Sequence, residues 1–218
     1  MILSRLLFPE KCILCGKILC GGEIDLCRSC RMEAPECPVQ KQKRSFLDSW
    51  VAIWYYKGYI RSSILRYKFH RCRHYAHGYG RMLAMKLQWE YPEGFDLLTW
   101  IPISPLRRLR RGYDQVQLLA QAVGKELGME VTPTLKKIRH NKPQSGIAGQ
   151  AQRRANVLGV YQAMEADRFR GKRVLLLDDI VTTGSTLSEA ARILLTAGAA
   201  QVNGAAVAAA ANQHKKTQ

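Results

Sequence analysis

The stretch VLLLDDIVTTGST, residues 174–186, limits the fold more than any other part of the chain. Four consecutive aliphatic residues predict a strand buried on both faces, as in a parallel sheet covered by helices. Two carboxylates cannot continue such a strand into a core, so Asp178 and Asp179 mark its carboxyl end. Ligands in open parallel sheets bind beyond the carboxyl ends of the strands. Side by side, Asp178 and Asp179 can accept hydrogen bonds from a vicinal diol or stand near a divalent cation. Thr182, Thr183, Gly184, Ser185 and Thr186 follow at the start of a helix. There a glycine turn, free N–H groups and the helix dipole favour a phosphate. A diol site beside a phosphate cradle fits a ribose 5-phosphate. A capped helix after a strand explains the hydroxyl residues but leaves the paired acids unexplained. The chain has no GxxxxGK, which weakens a Walker B reading of VLLLDD, and a dehalogenase nucleophile would need Asp-x-Asp.

Patterning elsewhere agrees with alternating strands and helices. WVAIWYYK suits a strand, and the run to Leu87 has helical spacing in two pieces. DLLTWIPI (96–103) reads as a strand ended by proline. SPLRRLRRGYDQ reads as a basic loop, and VQLLAQAVGKELG as an amphipathic helix closed by Gly128. RHNKPQSGIAGQAQRRANVLG reads as a long mobile loop. TLSEAARILLTAGA is a helix ending near Gly198, and QVNGAAVAAA a last strand, though its alanines also suit a helix.

Charge narrows the partners. Lys and Arg number 34 against 17 acids, and residues 57–89 and 136–154 hold eight and six basic residues with no acid. Such fields attract polyphosphates and nucleic acid, although a solvated basic face kept for solubility is the plainer account. Arg107, Arg108, Arg110 and Arg111 fall at the same end of the sheet as the aspartates. They suit pyrophosphate or a nucleic-acid backbone, with Tyr113 as a stacking face for an unpaired base. No apolar run approaches the roughly 18 residues of a membrane span, and the opening residues make a poor signal peptide, so a cytoplasmic protein is expected.

Six of the seven cysteines precede residue 38. Cys12-x-x-Cys15 and Cys27-x-x-Cys30, eleven residues apart, predict two thiolate knuckles closing one four-cysteine zinc site. Zinc would stabilise a segment too short for its own core, whereas a redox Cys-x-x-Cys usually sits in a βαβ setting. Cys20 and Cys37 are left over, with Cys20 an alternative fourth ligand. His70, Cys72, His74 and His77 cluster beside arginines, which favours a basic contact surface over a metal site. The expected division is a cysteine-rich zinc-binding head, 1–42, and an α/β domain, 43–218.

The 174–186 stretch matches the phosphoribosyl pyrophosphate (PRPP) signature of type I phosphoribosyltransferases at every position. With the Cys-x-x-Cys head, RRLRRGYDQ followed by LLA, and KPQSGIAGQAQRRANVLGVY, nearly the whole chain resembles the ComF (ComFC/GntX-like) competence family. The resemblance implies a type I phosphoribosyltransferase-like, mostly parallel sheet flanked by helices. It implies that Asp178 and Asp179 hold the ribose hydroxyls and that Thr182–Thr186 hold the 5-phosphate. Ile101 and Pro102 would form the pyrophosphate-side turn. Residues 142–154, with Lys142, Arg153 and Arg154, would form a hood over the reaction centre, and Mg2+ would accompany PRPP. It also implies a role with incoming single-stranded DNA and a competence helicase as partner. No segment plainly reads a base or other acceptor, so two readings stay open: a binding accessory protein, and a transferase releasing pyrophosphate.

Overall fold

The computed structural model describes residues 9–40, 46–139, 141 and 150–211, with the side chains of 150 and 154 outside that description. In chain order the elements are α1 (Arg28–Glu33), β1 (Trp50–Tyr55), α2 (Gly58–Phe69), α3 (Tyr75–Glu90), β2 (Leu97–Trp100), α4 (Pro105–Arg111) and α5 (Gln115–Leu127). Then come β3 (Leu135–Lys137), α6 (Gln150–Val157), β4 (Tyr161–Ala163), β5 (Arg173–Val181), α7 (Ser185–Thr196) and β6 (Gln201–Ala209).

The main sheet runs β1-β6-β5-β2 with every pairing parallel. Its two interior strands are β6 and β5, and Val174–Leu177 of β5 are fully buried, as a strand covered on both faces requires. One face packs against α2, α3 and α5 through Ile60, Ile64, Tyr79, Leu83, Leu119 and Val123. The other packs against α7 through Leu187, Ala190, Ala191 and Leu194. Burial on both faces makes QVNGAAVAA the strand β6. Its small residues let β1 and β5 flank it, and a Cβ at Gly204 would crowd the Trp50 and Leu187 side chains at 3.1 and 3.3 Å.

The outer edge of β1 is not open. Residues 35–40 run antiparallel along it, with Cys37 N–H donating to the Ile53 carbonyl (3.0 Å) and Tyr55 N–H to Pro35 (2.9 Å). That cover satisfies an edge that would otherwise pair with another chain.

The cysteine-rich segment is bolted to the same core. Ile13 and Leu14 are buried with α2 and α3. Arg66 donates to the Leu14 carbonyl (2.7 Å), and Ser63 donates to Ile13. Arg81 grips Asp25 with two bonds of 2.8 and 2.7 Å. Gly78 makes room for this clasp, since a Cβ there would lie 2.8 Å from Asp25 Oδ1.

Several expectations change. The basic loop 104–115 is largely the helix α4: Ser104 caps it by accepting from Arg107 N–H, Pro105 opens it and Gly112 closes it in a left-handed conformation. The strand expected over 96–103 is regular only over Leu97–Trp100, because Pro102 has no N–H for a ladder. Within the expected mobile loop, Gln150–Val157 is the helix α6, and Arg139 is tied to the Leu158 and Gly159 carbonyls (2.6 and 3.1 Å). The antiparallel pair β3–β4 has no counterpart in the expectations. At three residues each, its strands are too short for a readable alternation.

Candidate functional site

At the carboxyl end of β5 the strand passes Asp178 and Asp179 and turns through Thr182–Gly184 into α7. Gly184 takes φ +74°, a left-handed conformation costly for most other residues, and beyond its own chain neighbours no described residue comes within 4 Å of where its Cβ would be. The turn therefore leaves open space at the α7 N-terminus, where backbone N–H groups favour an anion. The Thr183 and Ser185 hydroxyls sit 2.8 Å apart in the same turn.

This end of the sheet opens into a cleft of about 750 Å3. Its walls bring together Asp178, Asp179, Thr182 and Thr186 from the β5–α7 region with Ile101 and Pro102 from the turn after β2. Arg107, Arg110, Arg111 and Tyr113 also line it, but Arg108 does not. Arg153 lies on α6, half-buried. Lys142 and the Arg154 side chain lie outside the described residues.

The two aspartates have different environments. Asp179 is nearly buried, with Lys68 Nζ 2.7 Å from Oδ1 and Gln115 Nε2 donating to Oδ2 at 2.7 Å. Asp178 accepts the Asp179 N–H at 2.8 Å, and its acid is pushed up by burial first and then by the Asp179 charge. Gln115 is 2% exposed, and its Oε1 has no partner among the described residues although the side chain lines the cleft. A buried amide oxygen without a donor is costly, so a ligand hydroxyl here gains a waiting acceptor.

The block Arg-Gly-Tyr-Asp-Gln positions these groups. Asp114 caps α5 by accepting from Val116 N–H (2.9 Å) and Gln117 N–H (3.1 Å), and also takes Ile103 N–H (3.2 Å). One carboxylate thus ties the turn after β2 to the start of α5. Tyr67 donates to the Gln115 carbonyl (2.5 Å), fixing α2 to the same point. Tyr113 is 6% exposed, its hydroxyl donates to the Tyr67 carbonyl, and Arg73 covers its ring at 4.7 Å. Its expected role as a stacking face is corrected: the ring is a buried strut in the cleft wall, because α2 and Arg73 enclose it.

Sequence reasoning misses Lys68, Gln115 and Lys137. Lys68 and Gln115 are legible only as members of a basic helix and of a helix start. Lys137 lines the cleft from β3, its ammonium 5.3 Å from the Tyr161 ring centroid. Burial, and then Arg107, lower its pKa to about 8. Arg107 donates to the Asn141 carbonyl at 2.8 Å and is likewise lowered by burial.

Away from the cleft, the Sγ atoms of Cys12, Cys15, Cys27 and Cys30 all lie within 4.8 Å of one another. Cys15 and Cys27 are 3.7 Å apart, close to the edge of a tetrahedron with metal–sulfur bonds of about 2.3 Å. Burial opposes ionisation of Cys12, but backbone hydrogen bonds at Cys15, Cys27 and Leu14 bring its thiol down to about 7. This cluster can hold a metal ion. Cys20 is exposed with its thiol toward the Ile18 carbonyl, and Cys37 is buried against Pro38; neither joins it. Among the described residues no group of three or more ligands forms around His70, Cys72, His74 and His77.

Comparison with known proteins finds a matching domain model and several relatives, three of which span the range of names. The family model for the phosphoribosyl transferase domain matches residues 112–218. Competence protein F of Haemophilus influenzae is 27% identical over 222 residues, covering 89% of this chain and 95% of that protein. DNA utilization protein YhgH of Escherichia coli K12 is 26% identical over 217 residues, covering 89% and 94%. Competence protein ComFC of Bacillus subtilis is 25% identical over 192 residues, covering 87% and 73%.

Proposed function

We propose that this chain, which is similar to Competence protein F and ComFC and is matched over 112–218 by the phosphoribosyl transferase domain model, binds PRPP with Mg2+ and single-stranded DNA, and serves incoming DNA in the cytoplasm. Residues 1–42 act as its zinc-binding head and 43–218 as its PRPP-binding domain, with a competence helicase as partner. The observation that carries this reading is the junction of Asp178 and Asp179 with Thr182 and Thr186, the two ends of the turn, in one basic cleft that Thr183, Gly184 and Ser185 do not themselves line. Adjacent carboxylates suit a ribose diol, and the glycine turn at the α7 N-terminus suits its 5-phosphate. Oxygen donors suit Mg2+, and Asp178, with no cation paired to it directly among the described residues, is the residue best placed to hold it. The bound ion would offset pyrophosphate charge. The four thiolates suit Zn2+ in the same way, with a spacing that matches tetrahedral sulfur coordination.

A second reading, transfer of the phosphoribosyl group, is favoured by Lys137 and Arg107 in the same cleft. In that reaction the C–O bond to pyrophosphate breaks with its electron pair leaving on the phosphate oxygen, while an acceptor lone pair forms the new bond. Cations lining the cleft steady the leaving charge, and the aspartates steady the cationic sugar. Pyrophosphate release from PRPP over a panel of bases, amines and DNA separates the readings. Release with one acceptor, lost in Asp179→Asn, selects the enzyme. Salt-sensitive DNA binding without release selects the accessory protein.

A further inference from the structure

Phe69, at the end of α2, is 59% exposed, and the Arg111 guanidinium stacks 4.8 Å from its ring centroid. Both residues line the cleft, together with Arg71 and Arg110. Arg71 holds φ +57°, an uncommon conformation for a residue with a side chain and one that clusters at binding sites. Among the described residues, the only acids lining the cleft are Asp178 and Asp179, and Asp179 is already paired with Lys68. The lip thus combines three cations with a largely exposed aromatic ring backed by a guanidinium. A single exposed phenylalanine is ordinary on a protein surface. An exposed ring stacked on arginine at the rim of a basic cleft is the pairing that unpaired bases use.

We propose that Phe69, with Arg71, Arg110 and Arg111, forms the seat for an unpaired nucleotide strand at the lip of the sugar-phosphate cleft. A base stacks on Phe69 while its flanking phosphates meet the arginines. The proposal rests on the nucleic-acid reading above and deepens it: the strand and the ribose ligand use the same cleft. A duplex offers no free base face at its middle, so the lip selects single strands. The base face and phosphates are shared by DNA and RNA.

The test measures binding of the whole chain to dT20, rU20 and a 20-base-pair duplex by fluorescence anisotropy at fixed salt, with PRPP binding measured separately by calorimetry. Phe69→Ala and Arg111→Ala are each expected to weaken dT20 binding at least about five-fold, the lower end of one stacked base. Lys125→Ala, an exposed cation at the far end of α5, changes it less than about two-fold. Equal loss on dT20 and rU20 assigns the seat to unpaired strands generally; loss on dT20 alone assigns it to DNA. The proposal is overturned if Phe69→Ala and Arg111→Ala behave like Lys125→Ala, or if the duplex binds as tightly as dT20. If the wild-type chain takes no PRPP while dT20 binding still depends on Phe69, the ribose reading fails and the lip stands. If PRPP binds normally but Phe69→Ala is silent, the lip alone fails.

Discussion

Lys68 Nζ lies 2.7 Å from Asp179 Oδ1, an ion pair that joins the last turn of α2 to the mouth of β5. Because both partners are largely buried, removing one leaves the other charge without compensation. Lys68→Met should therefore lower stability by about 3 kcal/mol in urea unfolding. The double variant Lys68→Met/Asp179→Asn should recover part of that loss. Additive losses would mean that the pair does not interact as the geometry shows.

Gln115 bonds Asp179 through Nε2 and leaves Oε1 to accept from a ligand. Gln115→Leu keeps the volume but removes both functions. The expected outcome is PRPP affinity about ten-fold weaker, equal to roughly 1.4 kcal/mol, with the thermal midpoint little changed. An unaltered affinity would show that the amide serves only the fold.

The four clustered thiols predict one zinc per chain by elemental analysis of purified protein. Cys15→Ser should remove it. Because Ile13 and Leu14 share the core with α2 and α3, losing the metal should loosen more than the head. A loss of about 4 kcal/mol, or a midpoint drop of roughly 10 °C, is the scale to look for. Full zinc retention in Cys15→Ser, with Cys20 then required, would give the fourth ligand to Cys20.

Lys137 has its pKa lowered to about 8, so the folded chain holds fewer protons there than the unfolded chain between about 8 and the ordinary 10.5. Stability from this group therefore rises with pH across that window, and the cost of the buried charge is fully present below it. Urea midpoints at pH 7, 8, 9 and 10 should show this rise in the wild type, and Lys137→Met should flatten it. Parallel curves would place Lys137 in a solvated setting.

The part of the molecule legible in its sequence is the part built from local pattern. VLLLDD announces a doubly buried strand, the turn after it announces a helix N-terminus, and two Cys-x-x-Cys knuckles announce a cluster that the fold closes. What stays hidden depends on contacts distant in sequence. Nothing local tells Lys68 from the other cations of α2, yet it meets a carboxylate 111 positions away. Tyr113 reads as a free aromatic beside arginines, but Tyr67 and Arg73 enclose it. Phe69 reads as part of an apolar helix stripe and is instead exposed. Burial of an aromatic is set by tertiary packing, which spacing alone does not carry.

The most direct test of the central claim is calorimetric titration of PRPP with Mg2+ into the folded chain, beside Asp178→Asn/Asp179→Asn. Saturable one-to-one binding in the wild type and none in the double variant is the predicted result. No heat from a folded, metal-loaded wild-type chain, or equal binding in the double variant, would contradict it.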